Sequence, residues 1–511
     1  MKQVKKPRTS NIKFPKALTG IQGFDVITDG GIPKNRPTLL LGNTGCGKTI
    51  FAVEFLISGI RLFDEPAVFM SFEEKTEELI MNVNSLGFDL KKHIADNKIY
   101  LEHVQINKGE IHEAGKYDIE GLFVRLGAAI DKVKAKRVVL DSLDTLFYGY
   151  DYQVLRSEFK RLLTWLKDKK VTAIITGEIG NIFLTRHGVE EYAADCVIVL
   201  DNRITNQIST RRLRIVKYRG SLHGNNEYPF VIEEKGITVL PVITDALNQK
   251  SSSKRIVSGN MQLDEMLGKK GFYVGSSILI SGTAGTGKTS IATTFALSVC
   301  KDNKHCLFCA FEEAPNQITR NMHSIGMNIE PFVKSGKLSF YFARPTLQNL
   351  ELHFIAIKKI IKEIKPSVVI LDPITNLMTE GPNSDIRSML TRFVDYLKRE
   401  EITVMFTAAI TVGSIERNPS DEGISSMVDT WIMVQDIEVE EKRLRSLCVM
   451  KSRGMEHSHY VREFDISNKG IVLCPIIRHT NGTSKDLKRR TKENENLSTS
   501  KKGEEFKESA R

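Results

Sequence analysis

Thr38-Leu39-Leu40-Leu41-Gly42-Asn43-Thr44-Gly45-Cys46-Gly47-Lys48-Thr49 is an apolar run that empties into a glycine-rich loop closed by Lys-Thr. The loop fits G-x-x-x-x-G-K-[ST], and the run before it reads as a buried strand. Glycines let backbone N–H groups close round phosphates, the lysine reaches the β- and γ-phosphates, and the hydroxyl holds Mg²⁺. Residues 50–60 read as a helix whose positive N-terminal end faces the nucleotide. The phrase returns as Gly282-Thr283-Ala284-Gly285-Thr286-Gly287-Lys288-Thr289, after the apolar Ser277-Ile-Leu-Ile280 and before a helix-like stretch at 290–300. One match in isolation is weak; two in matching surroundings predict a chain that binds two nucleoside triphosphates with Mg²⁺.

The surroundings repeat as well. Ser71-Phe-Glu-Glu74 recurs as Ala310-Phe-Glu-Glu313, Arg137-Val-Val-Leu-Asp141 as Val368-Val-Ile-Leu-Asp372, and Lys217-Tyr-Arg-Gly220 as Lys451-Ser-Arg-Gly454. The order is kept and the spacing drifts little, which is an internal duplication. Each half alternates short apolar strands (171–176, 404–409) with helical-period stretches (154–167, 386–398), so the fold class is α/β: two tandem phosphate-loop NTPase domains, each a mostly parallel sheet flanked by helices. The boundaries expected are a basic arm at 1–13, a first domain at 14–245, a serine-rich linker at 246–253, a second domain at 254–477 and a disordered polar tail at 478–511.

The 511-residue chain carries a net charge of +11, which raises nucleic acid as a partner until the charge is located. Residues 1–16 hold six Lys/Arg and no acid, and residues 478–511 hold ten against six acids, so the tails account for nearly all of it. The core is close to neutral, and nucleic acid is not the expected partner. No apolar stretch is long enough to span a bilayer, and the N-terminus lacks the apolar run of a signal peptide. Seven scattered cysteines read as reduced thiols of a cytoplasmic protein. Cys306 and Cys309 are three apart on an apparent strand, facing opposite sides, and are read as structural.

Three residue sets complete each site. Asp141 and Asp372 end apolar strands, where an aspartate holds Mg²⁺ through water. The pairs Glu73-Glu74 and Glu312-Glu313 follow strands and supply carboxylates able to orient a nucleophile and take its proton. The basic pairs Lys217/Arg219 and Lys451/Arg453 lie far from their own loops in sequence. Such a charge can reach the γ-phosphate from a neighbouring subunit, which requires a ring or filament.

On the double phosphate loop, both F-E-E motifs, both K-x-R-G motifs and Gly423-Ile-Ser-Ser-Met-Val-Asp-Thr430, the chain resembles the KaiC family of tandem-domain clock ATPases and autokinases, within the wider RecA-like superfamily. The resemblance covers about residues 14–475. It implies a homohexamer of two stacked rings with ATP between subunits, a first ring that hydrolyses ATP slowly, and a second that phosphorylates two adjacent hydroxyls across the subunit boundary. Those hydroxyls align with Ser425 and Ser426. Glu73 and Glu74 would activate water, and Glu312 and Glu313 the acceptor serine. Nucleotide would contact Thr44 to Thr49 and Ser85, with Lys217, Arg219, Ser221 and His223 from the neighbour. In the second ring it would contact Gly285 to Thr289 (Gly285, Thr286, Gly287, Lys288, Thr289), with Arg445, Lys451, Arg453 and His457 from the neighbour. The metal would sit on Thr49 and Asp141, and on Thr289, Asp372 and Glu312. A KaiB-like or response-regulator partner is implied too.

Three departures stand out. Ser426 replaces a threonine of the better-known members. Asp372 is followed by Pro-Ile-Thr-Asn-Leu-Met-Thr379, with Thr379 where the family has arginine. The tail after Ile477 does not resemble the segment that binds KaiA. Two other readings remain at this stage: a nucleotide-controlled ring or scaffold without kinase activity, and a nucleic-acid motor of the same superfamily.

Overall fold

The computed structural model describes residues 14–105, 119–146, 152–180, 193–205, 208–241, 252–345, 350–377, 383–410, 425–439 and 442–474. The basic arm, most of the expected linker and the polar tail lie outside the described residues.

The first half builds a nine-stranded sheet from β1 (Pro37–Gly42), β2 (Ala67–Ser71), β3 (Ile99–His103), β4 (Arg137–Asp141), β5 (Thr172–Gly177), β6 (Cys196–Thr205), β7 (Ile208–Tyr218), β8 (Glu227–Glu233) and β9 (Gly236–Val239). Their spatial order is β9-β8-β7-β6-β1-β5-β4-β2-β3. From β6 across to β3 every pairing is parallel, whereas β6 through β9 form an antiparallel meander. The second half repeats this with β10 (Ser277–Gly282), β11 (Cys306–Ala310), β12 (Leu338–Phe342), β13 (Val368–Asp372), β14 (Thr403–Ala409), β15 (Thr430–Val439), β16 (Lys442–Ser452), β17 (Arg462–Ser467) and β18 (Gly470–Leu473). Read from the meander end, the order is β18-β17-β16-β15-β10-β14-β13-β11-β12, the first order strand for strand. Two duplicated RecA-like α/β domains are thus what the alternating pattern encodes.

The parallel strands read as continuous apolar runs because both faces of the sheet are covered; every residue of β1, β2, β10 and β13 is buried. The covering helices in the first half include α1 (Lys48–Phe63), α2 (Thr76–Asn84), α3 (Ile119–Val133) and α4 (Tyr152–Asp168). In the second half α5 (Lys288–Lys301), α6 (Pro315–Ser324), α7 (Leu350–Ile364) and α8 (Asn383–Arg399) stand at the matching places in sequence. α1 is buried nearly all round, through Phe51, Phe55, Leu56 and Ile60 among others, and each such side chain contributes on the order of 1.5–3 kcal/mol. α4 instead shows one apolar stripe, Leu155, Phe159, Leu162, Leu163 and Leu166, at helical spacing.

By their contacts the residues form two compact units, and these are not continuous in sequence. One contains residues 1–250 with 342–365 and 375–399; the other contains 251–341, 366–374 and 400–511. α7 and α8 therefore belong with the first unit, in which Glu351 pairs with Arg212 at 2.6 Å and Glu233 with Lys359 at 2.7 Å. No helix among the described residues is long and apolar enough to cross a membrane.

In each sheet the chain order reverses at the central strand: β1 lies between β5 and β6, and β10 between β14 and β15. That reversal makes a crevice at the C-terminal ends of the parallel strands, where α/β proteins of this kind bind ligands.

Candidate functional site

The phosphate loops occupy that crevice in both halves. Gly45 and Gly47 have φ of +77° and +105°, and Gly285 and Gly287 +80° and +93°, a region that residues with a Cβ rarely adopt. A Cβ at Gly47 would come within 2.9 Å of Ile232, and one at Gly287 within 2.6 Å of Ile466; at Gly45 and Gly285 it would enter open space. Each loop is thus wedged against the meander on one side and open as a cradle on the other. Lys48 Nζ donates to the carbonyls of Gly42 (2.7 Å) and Asn43 (3.2 Å), and Lys288 Nζ to Gly282 (2.9 Å) and Thr283 (2.7 Å). Burial pushes the Lys288 ammonium below its ordinary pKa. Cys46 and Thr286 are buried side chains beneath the loops, so what they offer a phosphate is their backbone N–H. Burial also raises the Cys46 thiol, which makes it a poor nucleophile.

Thr49 donates its hydroxyl to Asp141 at 2.8 Å, and Thr289 hydrogen-bonds Asp372 in the same way. Both aspartates are pushed above the usual carboxylate range by burial, against the pull of these hydroxyls. Among the described residues no cluster of three or more His, Cys, Asp or Glu forms a metal cage. A threonine hydroxyl beside one aspartate fits instead a Mg²⁺ that arrives on phosphate oxygens and keeps several waters.

The carboxylate pairs sit at the ends of β2 and β11, beside these aspartates, and here the halves differ. Glu73 accepts from Ser142 Oγ and from Thr145 Oγ1 at 2.6 Å. Glu312 has no side-chain hydrogen bond among the described residues, because Pro373 stands where the first half has Ser142. The second member is clasped in both halves: Asn82 Nδ2 donates to Glu74, and Asn321 Nδ2 to Glu313 at 2.9 Å. Burial raises the Glu74 pKa and the Asn82 amide opposes that. Ser85 ends α2, exposed, with its hydroxyl on the Asn82 carbonyl at 2.6 Å.

The basic pairs lie at the end of the sheet away from the phosphate loops, where the parallel strands begin. Lys217 is opposite Val197 and Tyr218 opposite Cys196, which itself pairs with Thr38 near the start of β1. Lys451 is opposite Trp431 and Ser452 opposite Thr430, which pairs with Ile278 near the start of β10. Each phosphate loop begins only after Gly42 or Gly282, about 13 Å further along its strand at the usual rise per residue. Arg219 reaches Asp195 at 3.6 Å. That carboxylate is buried, yet Lys167, Arg36 and Arg219 hold it below the usual range. Ser221 and His223 follow the same strand end, where His223 Nδ1 is 3.1 Å from the Gly224 carbonyl; His457 lies against His459 with ring centroids 4.9 Å apart.

Ser425 and Ser426 share this far end. They form a helical turn just before β15; Lys451 Nζ donates to the Ser425 carbonyl and Arg453 to the Ser426 carbonyl, both at 2.8 Å. Asp429, three residues on, accepts from the backbone N–H of Ser277, the first residue of β10, at 2.9 Å. Lys451, Arg453 and the serines are therefore one cluster, at the end opposite their own phosphate loop. Arg445 is not part of it. It pairs with Asp436, beyond the Gly282–Val434 pair, at the phosphate-loop end of β16, roughly 20 Å from Lys451 at strand rise. Thr379 lies outside the described residues.

Sequence reading passed over three sets of residues that touch the acidic groups: Ser142 and Thr145, Asn82 and Asn321, and Thr176 and Thr407. Thr176 donates to Asp141 and Thr407 to Asp372, in each case across 35 positions; each asparagine stands eight positions after its glutamate. Equal offsets in two repeats were the available signal. The Cys306–Cys309 pair is buried on β11 with both thiols free, as expected of structural cysteines.

Comparison with known proteins bears on this geometry. A family model described as the KaiC ATPase matches residues 17–243 and again 256–477. The circadian clock protein KaiC2 of Synechocystis sp. is 47% identical over 468 residues, covering 91% of this chain and 82% of that protein. The circadian clock oscillator protein KaiC of Acaryochloris marina is 37% identical over 92% of this chain and 90% of its own length. That of Synechococcus elongatus is 37% identical over 89% of this chain and 88% of its own.

Proposed function

The chain belongs to the KaiC family of ATPases, and from that premise we propose that it is an ATP-driven autokinase whose second domain phosphorylates Ser425 and Ser426 of a neighbouring copy. One observation carries the reading: in the second half the hydroxyls that would accept phosphate and the loop that would hold ATP lie at opposite ends of the adjacent strands β15 and β10. Transfer within a subunit is then excluded by distance, and transfer between subunits needs only that the far end of one copy meet the crevice of the next. The homohexamer of two stacked rings, with ATP at each boundary, supplies that meeting.

In this mechanism the loop amides and Lys288 hold the triphosphate, and Thr289 and Asp372 would hold Mg²⁺, which neutralises charge on the phosphoryl oxygens. Glu312, which has no side-chain hydrogen bond among the described residues, takes the serine proton, while Glu313 is fixed by Asn321 and shapes the field around it. Lys451 and Arg453 fix the acceptor backbone in the arriving copy, which lowers the orientational part of the barrier. In the first half the positions matching Ser425 and Ser426 are Glu191 and Tyr192. That domain accordingly hydrolyses ATP, with Glu73 and Glu74 acting on water and Lys217, Arg219, Ser221 and His223 reaching a neighbour's nucleotide. Names of relatives support a place in clock-like timing, with a KaiB-like or response-regulator partner downstream.

The test mixes two chains. One carries Glu312→Gln and Glu313→Gln with its serines intact; the other carries Ser425→Ala and Ser426→Ala with its carboxylates intact. Each alone should stay unlabelled in Mg-ATP, and the mixture should gain phosphate on the serines of the first chain, read by phosphopeptide mass spectrometry. Wild-type protein that hydrolyses ATP yet never labels either serine would leave a nucleotide-driven ring without kinase activity.

A further inference from the structure

We infer that Thr176 and Thr407 are positioning residues for the metal: each straps the metal-side aspartate of its domain from the sheet, opposite the hydroxyl of the phosphate loop. The inference rests on the reading of Asp141 and Asp372 as those aspartates. Thr176 lies on β5 and Thr407 on β14, the strand between the phosphate-loop strand and the aspartate strand in each sheet. Both are 0% exposed. Thr176 Oγ1 donates to Asp141 Oδ1 while Thr49 donates to Oδ2, so each carboxylate oxygen has one hydroxyl. In the second domain Thr407 donates to Asp372 Oδ1, and Thr289 is the other donor.

Nothing about the strand calls for a hydroxyl here. The residues before Thr176 are Ala173, Ile174 and Ile175, and those before Thr407 are Val404, Met405 and Phe406, all buried. Valine has nearly the same shape, suits a buried strand, and brings no buried polar atom that needs a partner. A threonine at both places, aimed at the same carboxylate oxygen, is instead what a metal-side ligand needs from its surroundings. Two donors on different elements fix the rotation of the carboxylate about its Cβ–Cγ bond. They also tie its position jointly to the first turn of the helix after the phosphate loop and to the sheet.

The experiment uses the full chain loaded with a non-hydrolysable ATP analogue and titrated with Mn²⁺, free metal being followed by electron paramagnetic resonance. Thr176→Val should weaken the Mn²⁺ sites of the first domain about tenfold or more, and Thr407→Val those of the second. Binding of the analogue in EDTA should be unchanged, and Thr176→Ser or Thr407→Ser should restore metal affinity. Cysteine variants, close in size and weak as donors, give the same comparison should valine prevent folding. Unchanged Mn²⁺ affinity in the valine variants, with Asp141→Asn and Asp372→Asn weakened, would overturn the strap and leave the metal site standing. Unchanged affinity in the asparagine variants as well would remove both. Equal losses of metal-free analogue binding in the valine and serine variants would mark the threonines as structural only.

Discussion

Arg137 opens β4, the strand that ends at Asp141, and is 1% exposed. Its guanidinium is fully engaged: Glu65 at 2.7 Å, the Phe55 and Leu18 carbonyls at 2.8 Å each, and the Phe55 ring 4.5 Å away. A buried charge is tolerable only with such partners, and removing it strands them. Arg137→Leu should therefore destabilise the first unit by about 3 kcal/mol, visible as a lower denaturant midpoint. Gly59 faces this group so closely that a Cβ would stand 2.3 Å from Arg137 Nε; its place in a buried helix is explained by that approach. At the crevice, Asn82 is the donor that opposes the burial-raised pKa of Glu74. Asn82→Ala should keep that carboxyl protonated to higher pH, moving the acid limb of ATP hydrolysis upward while the Glu73→Gln background shows whether Glu74 matters at all. An acid limb that stays in place would remove the asparagine from the mechanism. The partners of Arg137 are not legible in the sequence, because an arginine after a helix is common and only contact distinguishes this one; Asn82 is marked there only by the eight-position offset it shares with Asn321.

α1 carries one acid, the buried Glu54, and its effect belongs to the element. Glu54 faces away from the phosphates, toward the β8–β9 turn, where it accepts from the Ile237 N–H at 2.6 Å. Gly236, with φ of +108°, leaves room for it; a Cβ there would lie 2.5 Å from the carboxylate. Burial raises the Glu54 pKa to about 7, with the Ile237 N–H opposing. The native state thus binds a proton that the unfolded chain releases between about pH 4.5 and pH 7. Its contribution to stability is full below that window and lost as pH rises through it, by roughly 3 kcal/mol in total. Glu54→Gln should lack this loss, so denaturant melts at pH 5 and pH 8 should show the variant gaining on the wild type. A parallel pH response of the two proteins would refute the assignment. The helices and parallel strands themselves were legible, since loop motif, apolar run and period agree; α1 begins at Lys48 and β10 at Ser277 as the pattern requires. The antiparallel strands that follow β6 were not, because β7 carries Arg211, Arg212 and Arg214 among its apolar residues and shows no apolar run.

Across the whole molecule the duplication read from four repeated motifs holds strand for strand, and that is why such short motifs carried so much. What pattern cannot reveal is which end of a sheet a residue occupies. Lys451 and Arg445 lie six positions apart on one strand and were grouped by resemblance, yet register separates them to opposite ends of β16. The membership of α7 and α8 was equally hidden, since it rests on contacts with residues more than a hundred positions earlier, such as Glu351 with Arg212. The separation of serines from phosphate loop by the length of a strand has a consequence for how the protein answers to its own abundance. If transfer runs between copies as proposed, a lone copy holds fuel and target and joins neither to the other, so below the concentration at which copies associate no new phosphate is added. Above it, output climbs faster than gene dosage: doubling the number of chains more than doubles the number that carry phosphate. On that proposal, the mark on Ser425 or Ser426 records that a threshold of expression has been crossed.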